Sequence, residues 1–194
     1  ENKEKEIVAH QKYILKEAAD YVERDGIMDL KRFILPSGTY TINVVIKDLN
    51  DTLNIEKHQE EFDLNFPESP HFSDIEFLDS YWKNEQENEL SKSGLQMVPL
   101  VTSYFGPEFK KLAYYFEIYG MESFKETSHL LLKQSILIKE TNEIAGQYNR
   151  LKKIPTSPIH PILNTFDLSN LPTGNYTLSL ELIDTENNSI FKKN

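Results

Sequence analysis

An internal repeat constrains this chain more than any other feature. Leu35-Pro36-Ser37-Gly38-Thr39-Tyr40-Thr41-Ile42-Asn43-Val44-Val45-Ile46-Lys47-Asp48 recurs without a gap as Leu171-Pro172-Thr173-Gly174-Asn175-Tyr176-Thr177-Leu178-Ser179-Leu180-Glu181-Leu182-Ile183-Asp184. Each copy opens on Pro-x-Gly. Proline fixes φ and glycine permits a positive φ, so the pair predicts a sharp corner. The residues that follow alternate. Tyr40, Ile42, Val44 and Ile46 share one face and Tyr176, Leu178, Leu180 and Leu182 the equivalent one. A period of two predicts a half-buried antiparallel strand. Asp48-Leu49-Asn50-Asp51 and Asp184-Thr185-Glu186-Asn187-Asn188 are turn clusters, and a new strand is expected after each.

Leu-Pro-x-Gly-x-Tyr at the head of a late strand matches the tyrosine corner of Greek-key sandwiches, in which the phenol packs inward and its hydroxyl caps backbone a few residues upstream. Tyr40 with Gly38 and Tyr176 with Gly174 are therefore read as two structural corners. Two corners predict an all-β chain of two Ig-like Greek-key β-sandwich domains in tandem. The first is expected over residues 1–66, the second over 72–194, with the Pro-containing stretch 67–71 as linker. Only residues 1–34 precede the first corner, whereas a seven-stranded sandwich takes ~100 residues in all. The first domain is accordingly expected to be short or truncated. The last strand is also short, and the natural protein is expected to continue past it.

Within the second domain, strands are predicted over Phe72–Leu78, Gln96–Val101, Lys111–Tyr119, His129–Lys139, Glu143–Ile154 and Ile162–Leu168, with a Pro-punctuated crossover from Ile154 to Pro161. Ile7–Val22 is ambiguous, because Ile14, Leu15, Ala18, Ala19 and Val22 also suit a helix turn.

Composition narrows the functions worth considering. The 194 residues carry 21 Lys+Arg against 31 Asp+Glu, a formal charge of −10. That balance repels phosphate backbones and argues against nucleic acid as a partner. The cysteine count is 0, which removes disulfides, thiolate metal sites and cysteine nucleophiles. There is no apolar run of ~18 residues, so no membrane insertion by a helix is expected. His10, His58, His71, His129 and His160 are scattered without metal-ligand spacing. The Asp- and Asn-rich turns offer calcium-type oxygens but lack the glycine and distal glutamate of an EF-hand, and hairpin turns use these residues anyway. Gly-x-Ser-x-Gly, the Walker pattern and the dinucleotide fingerprint do not occur, so the chain is read as non-enzymatic and without a cofactor. The best candidate ligand site is Tyr81-Trp82 with Glu85, in an expected loop over 79–94, where an aromatic face beside carboxylates suits sugar stacking. The alternative for Trp82 is packing over a sheet edge.

Ser73-Asp74-Ile75, the stretch from Val98-Pro99 to Phe105-Gly106, Tyr115-Phe116-Glu117-Ile118-Tyr119 and Leu171-Pro172-Thr173-Gly174-Asn175-Tyr176-Thr177-Leu178 resemble the region upstream of the GWxTD domain in bacterial GWxTD-domain proteins. The likeness covers about 70–194, with the tail of a preceding similar module at 33–64. The GWxTD motif itself is not present in the chain. The resemblance implies tandem Ig-like modules of exported or envelope proteins and brings no catalytic residues with it. The expected role is a noncatalytic interaction or spacer module of a larger bacterial protein, periplasmic, outer-membrane-associated or secreted. Its partner would be another protein or other domains of the same polypeptide. The alternative is a carbohydrate-binding module with a glycan as ligand.

Overall fold

The computed structural model describes residues 6–15, 30–67, 70–83, 88, 90–102, 104–124 and 127–194. Among them the chain is almost entirely β, with one short 3-10 turn at Met121–Ser123. It divides into two compact units, Glu1–Phe66 and Pro67–Asn194.

The first unit contributes one hairpin, β1 (Gly38–Lys47) and β2 (Ile55–Leu64), paired antiparallel from Gly38↔Leu64 to Lys47↔Ile55. Asp48 closes the loop by accepting the backbone N–H of Asn50 at 2.8 Å. Among the described residues of this unit, Tyr40 alone is buried, its ring 6.0 Å from that of Phe62. The alternation read from the sequence is present, but the apolar row it predicts lies open: Ile42 and Val44 are each 38% exposed and Ile46 64%. Among the described residues of this unit, β1 and β2 are the strands present. Residues 6–15 are neither helix nor strand, and the rest of the ambiguous 7–22 stretch lies outside the described residues.

The second unit holds β3 (His71–Phe72), β4 (Glu76–Lys83), β5 (Ser91–Lys92), β6 (Leu95–Pro99), β7 (Lys111–Tyr119), β8 (His129–Ile138), β9 (Ile144–Pro155), β10 (Ile159–Asp167), β11 (Tyr176–Ile183) and β12 (Ser189–Lys193). One sheet runs in the order β10-β7-β4-β6-β5, with β3 also on β7; the other runs β12-β11-β8-β9. Their inner faces supply one core. Leu112, Tyr114, Phe116 and Ile118 of β7, with Ile162 and Phe166 of β10, meet Leu130, Leu132 and Ile136 of β8 and Leu178, Leu180 and Leu182 of β11. The fold of this unit is a β-sandwich, as alternating strands with turns between them require.

Three boundaries differ from the sequence reading. The predicted Phe72–Leu78 strand is split into β3 and β4 around residues 73–75, and both pieces pair with the same strand, β7. His71, expected in the linker, is already in register opposite Tyr119. The crossover near Ile154–Pro161 shrinks to a short turn, and Pro161 sits inside β10. Proline is tolerated there because β10 is an edge strand, with β7 as its one neighbour in the sheet, so a missing N–H need not break the ladder.

Candidate functional site

Both corners are built alike, and the structure revises why they need glycine. The Tyr40 hydroxyl donates to the Pro36 carbonyl at 2.8 Å, and the Tyr176 hydroxyl to the Pro172 carbonyl at 2.8 Å. Among the described residues the positive-φ glycines are Gly94, Gly120 and Gly146; Gly38 and Gly174 are not among them. Proximity is the reason instead. A Cβ on Gly38 would lie 3.3 Å from the Tyr40 ring, and one on Gly174 3.2 Å from the Tyr176 hydroxyl. Glycine therefore lets the phenol fold back over the corner. The aspartate that ends each copy holds the following turn. Asp184 accepts the N–H groups of Glu186 at 2.9 Å and Asn188 at 2.7 Å, and the Asn188 side-chain amide at 2.9 Å. These oxygens serve the turn, the behaviour expected of Asp in a hairpin. Among the described residues no group of three or more His, Cys, Asp or Glu side chains is placed to hold a metal ion.

Tyr81 and Trp82 lie on β4, so the 79–94 segment is not one loop. Being consecutive on a strand, they point to opposite faces. Tyr81 is paired with Met97 and 40% exposed; Trp82 is paired with Gln96 and 50% exposed. They cannot form one stacking platform. Glu85, expected beside them, lies outside the described residues.

The densest polar chemistry sits elsewhere, on the outer face of the β10-β7-β4-β6-β5 sheet. Tyr115, Glu117 and Tyr119 alternate along β7 and share that face, because Tyr114, Phe116 and Ile118 fill the core. Glu117 is 7% exposed. Its carboxylate accepts the Tyr115 hydroxyl at 2.6 Å and the Tyr119 hydroxyl, and it pairs with the Lys92 ammonium at 3.4 Å. Lys92 also lies 4.8 Å from the centre of the Tyr115 ring, and Ser93 Oγ is 3.0 Å from the Tyr115 hydroxyl. Lys92 ends β5 and Ser93 begins the turn to β6. Ser93 and Gly94 both have positive φ, 52° and 77°, as a tight two-residue hairpin turn needs. The β5–β6 hairpin thus folds over the sheet and is clamped to β7. On the other side the His71 ring stacks on Tyr119 at 5.3 Å.

The electrostatics are those of a clamp that holds the Glu117 carboxylate ionised. Burial pushes the Glu117 carboxyl up, but the bonds from Tyr115 and Tyr119 and the Lys92 charge outweigh it and leave it below its ordinary value. Burial and the Glu117 hydrogen bond push the Tyr119 phenol up to about 12 and move Tyr115 in the same direction. An ionised carboxylate saturated by donors is a poor base, and phenols this weak are poor acids at neutral pH. The sequence reading places these residues on a strand and does not anticipate the network. The outward i, i+2, i+4 Tyr-Glu-Tyr pattern was the available signal, but Lys92 is on β5, with β4 and β6 between it and β7, and only the fold of the hairpin brings it in.

The other sheet carries an open groove of about 560 Å³ lined by Lys133, Ser135, Asn142, Ser179, Glu181 and Lys192 among others. Lys133 and Glu181 pair across it at 3.5 Å. It offers hydrogen bonds but no aromatic side chain among its lining residues for a sugar ring to stack on. Comparison with protein-family models, with curated proteins and with solved structures finds no match for this chain. What fold and site define is a class: an all-β sandwich in which a buried carboxylate ties the β5–β6 hairpin to β7.

Proposed function

We propose that the chain belongs to two Ig-like Greek-key sandwiches in tandem and works as a noncatalytic interaction or spacer module of a larger exported or cell-envelope bacterial protein. The observation that carries this reading is the pair of tyrosine corners, each with the same Tyr-to-Pro bond at 2.8 Å. Strand order in the second unit supports it. With β3 and β4 taken as strand A, the remaining long strands β7 to β12 fall as B, C, C′, E, F and G. The sheets then become A-B-E with the β5–β6 insertion beside A, and C′-C-F-G. The corner tyrosine begins strand F, its usual place in immunoglobulin-like domains. Leu178 stands two residues on, where antibody domains carry half of their inter-sheet disulfide, and a packed leucine takes over that role in a chain with 0 Cys. The export assignment and the link to proteins bearing a GWxTD domain rest on the sequence resemblance alone.

The alternative is a carbohydrate-binding module that uses Trp82. Its half exposure favours that reading, and the opposite facing of Tyr81 weighs against it. A glycan array with the purified chain separates the two. The interaction-module reading expects no glycan signal that depends on Trp82. Binding that disappears in Trp82→Ala overturns it in favour of the carbohydrate module.

A further inference from the structure

Two polar groups in the core of the second unit have no partner within the protein, Gln134 Nε2 and the Tyr148 hydroxyl. Gln134 is 0% and Tyr148 7% exposed. The way Gln134 turns its amide is forced by its neighbours. A guanidinium only donates, and Arg150 donates to Asn164 Oδ1, which also accepts the Thr165 backbone N–H at 2.9 Å. Asn164 therefore turns its Nδ2 toward Gln134 and donates to Gln134 Oε1 at 3.2 Å. The Tyr114 hydroxyl donates to the same oxygen at 2.7 Å. Flipping the Gln134 amide would set Nε2 against Asn164 Nδ2, donor against donor. Nε2 and its protons therefore stay turned away from this chain of bonds, in a place closed to bulk water.

The Tyr148 hydroxyl belongs to the same cluster. Tyr148 and Tyr114 both pack on the Phe166 ring, with centroids 6.2 and 5.9 Å away, and the Arg150 guanidinium lies 5.1 Å from the centre of that ring. A bulge interrupts the strand pairing beside them. Between the pairs Ser135↔Asn149 and Leu137↔Ile144, β8 has Ile136 alone, whereas β9 has Ala145, Gly146, Gln147 and Tyr148. Gly146 permits the detour with φ 56°. Native proteins seldom leave buried donors unserved, and an internal water is their usual partner in a polar site. We propose that one water molecule is bound between the sheets at this bulge. It accepts a hydrogen bond from Gln134 Nε2 and bonds to the Tyr148 hydroxyl, which both donates and accepts. Residues that a bulge drops from the ladder leave backbone groups for its remaining bonds. A cation is a poor occupant, because Nε2 presents protons to the site and the Arg150 charge is close. The bound water links β8 to β9 where their own ladder is broken.

A crystal structure of the 194-residue chain at about 1.5 Å tests this, with solution NMR as a check free of the lattice. Density should lie about 2.7–3.2 Å from both Gln134 Nε2 and Tyr148 Oη. In solution, the Gln134 side-chain amide protons should show nuclear Overhauser transfer from a long-lived water. Tyr148→Phe removes one partner of the water and leaves the Gln134 bonds to Tyr114 and Asn164 in place, so the density and the transfer should both be lost. Gln134 Nε2 found on a protein acceptor, or no density beside it in the parent chain, would overturn the inference. Density that persists in Tyr148→Phe would overturn the bridge. Anomalous scattering from the site after a bromide soak would overturn the water in favour of an anion held by the two donors. Should Tyr148→Phe fail to fold, the density and the transfer in the parent chain decide by themselves. Glycan binding through Trp82 would remove the interaction-module reading and leave this result unaffected.

Discussion

The inner faces of the second unit meet through a polar bridge, and its strength can be worked out in advance. The Tyr114 hydroxyl on β7 donates to Gln134 Oε1 on β8 at 2.7 Å. Both residues are 0% exposed, so the bond spans the two sheets with no access to water. Asn164 of β10 donates to the same oxygen at 3.2 Å, and Arg150 of β9 donates to Asn164. A neutral buried hydrogen bond contributes about 1–1.5 kcal/mol, and orphaning one partner costs about 1–3 kcal/mol. Tyr114→Phe leaves Gln134 Oε1 still served by Asn164, so about 1–1.5 kcal/mol is expected. Gln134→Met strands the Tyr114 hydroxyl. It also removes Gln134 Nε2, a buried donor with no partner, so its cost should stay near 1–2 kcal/mol. With both changes no hydroxyl is stranded, and the double variant should be more stable than the sum of the singles predicts, by about 1 kcal/mol. Urea unfolding of the four proteins measures the cycle. In thermal melts each kcal/mol should appear as a shift of about 3–5 °C. A coupling below about 0.3 kcal/mol would refute the claim that this bond helps hold the sheets together.

Other expectations follow from the same geometry. Tyr176→Phe removes the bond to the Pro172 carbonyl and should cost about 1 kcal/mol in urea unfolding; an unchanged midpoint would count against the corner. Gly174→Ala must displace a phenol that would lie 3.2 Å from the new Cβ, and should cost about 1 kcal/mol although φ there is not positive. Leu180→Ala, at 0% exposure, should cost about 2–5 kcal/mol, whereas Val44→Ala should leave the same melting transition within about 0.5 kcal/mol in this chain. The Glu117 clamp sets two pH limits. Its carboxyl lies below the ordinary value, so the stability it adds is present above that value and is lost as pH falls through the lower folded one. Tyr119 runs the other way: its contribution is complete below its ordinary value of 10.0 and is lost as pH rises toward about 12. In a pH series of melting temperatures, Glu117→Gln should flatten the acid limb, and Tyr119→Phe should shift the alkaline one.

How far the sequence could be read depended on the range of the interaction concerned. Strand identity is local. Alternation placed β7 at Lys111–Tyr119, and the repeat placed the two corners together with the turns that follow them. The hydroxyl-to-carbonyl bond of each corner is also local, spanning four residues, so Leu-Pro-x-Gly-x-Tyr was enough to anticipate it. The role of glycine was misread because backbone conformation and ring proximity both favour the same residue, and a sequence does not separate them. The loop expected at 79–94 failed for a related reason. A polar run from Asp79 to Ser93 dilutes the alternation, yet β4 continues to Lys83 because its backbone bonds to β6 through a bulge near Leu78.

Burial and long-range pairing were settled only by tertiary structure. Ile42, Val44 and Ile46 are as apolar as Leu178, Leu180 and Leu182, and nothing within either strand says that one row is covered and the other open. That difference depends on which strands lie opposite. The Lys92–Glu117 pair likewise depends on the fold of the β5–β6 hairpin, and the Tyr114–Gln134 bond on the stacking of two sheets. The amino-acid pattern sets which face of a strand seeks an apolar environment, because that follows from the two-residue period of the backbone. Whether the face finds one is a question of three-dimensional neighbours, which the period does not encode.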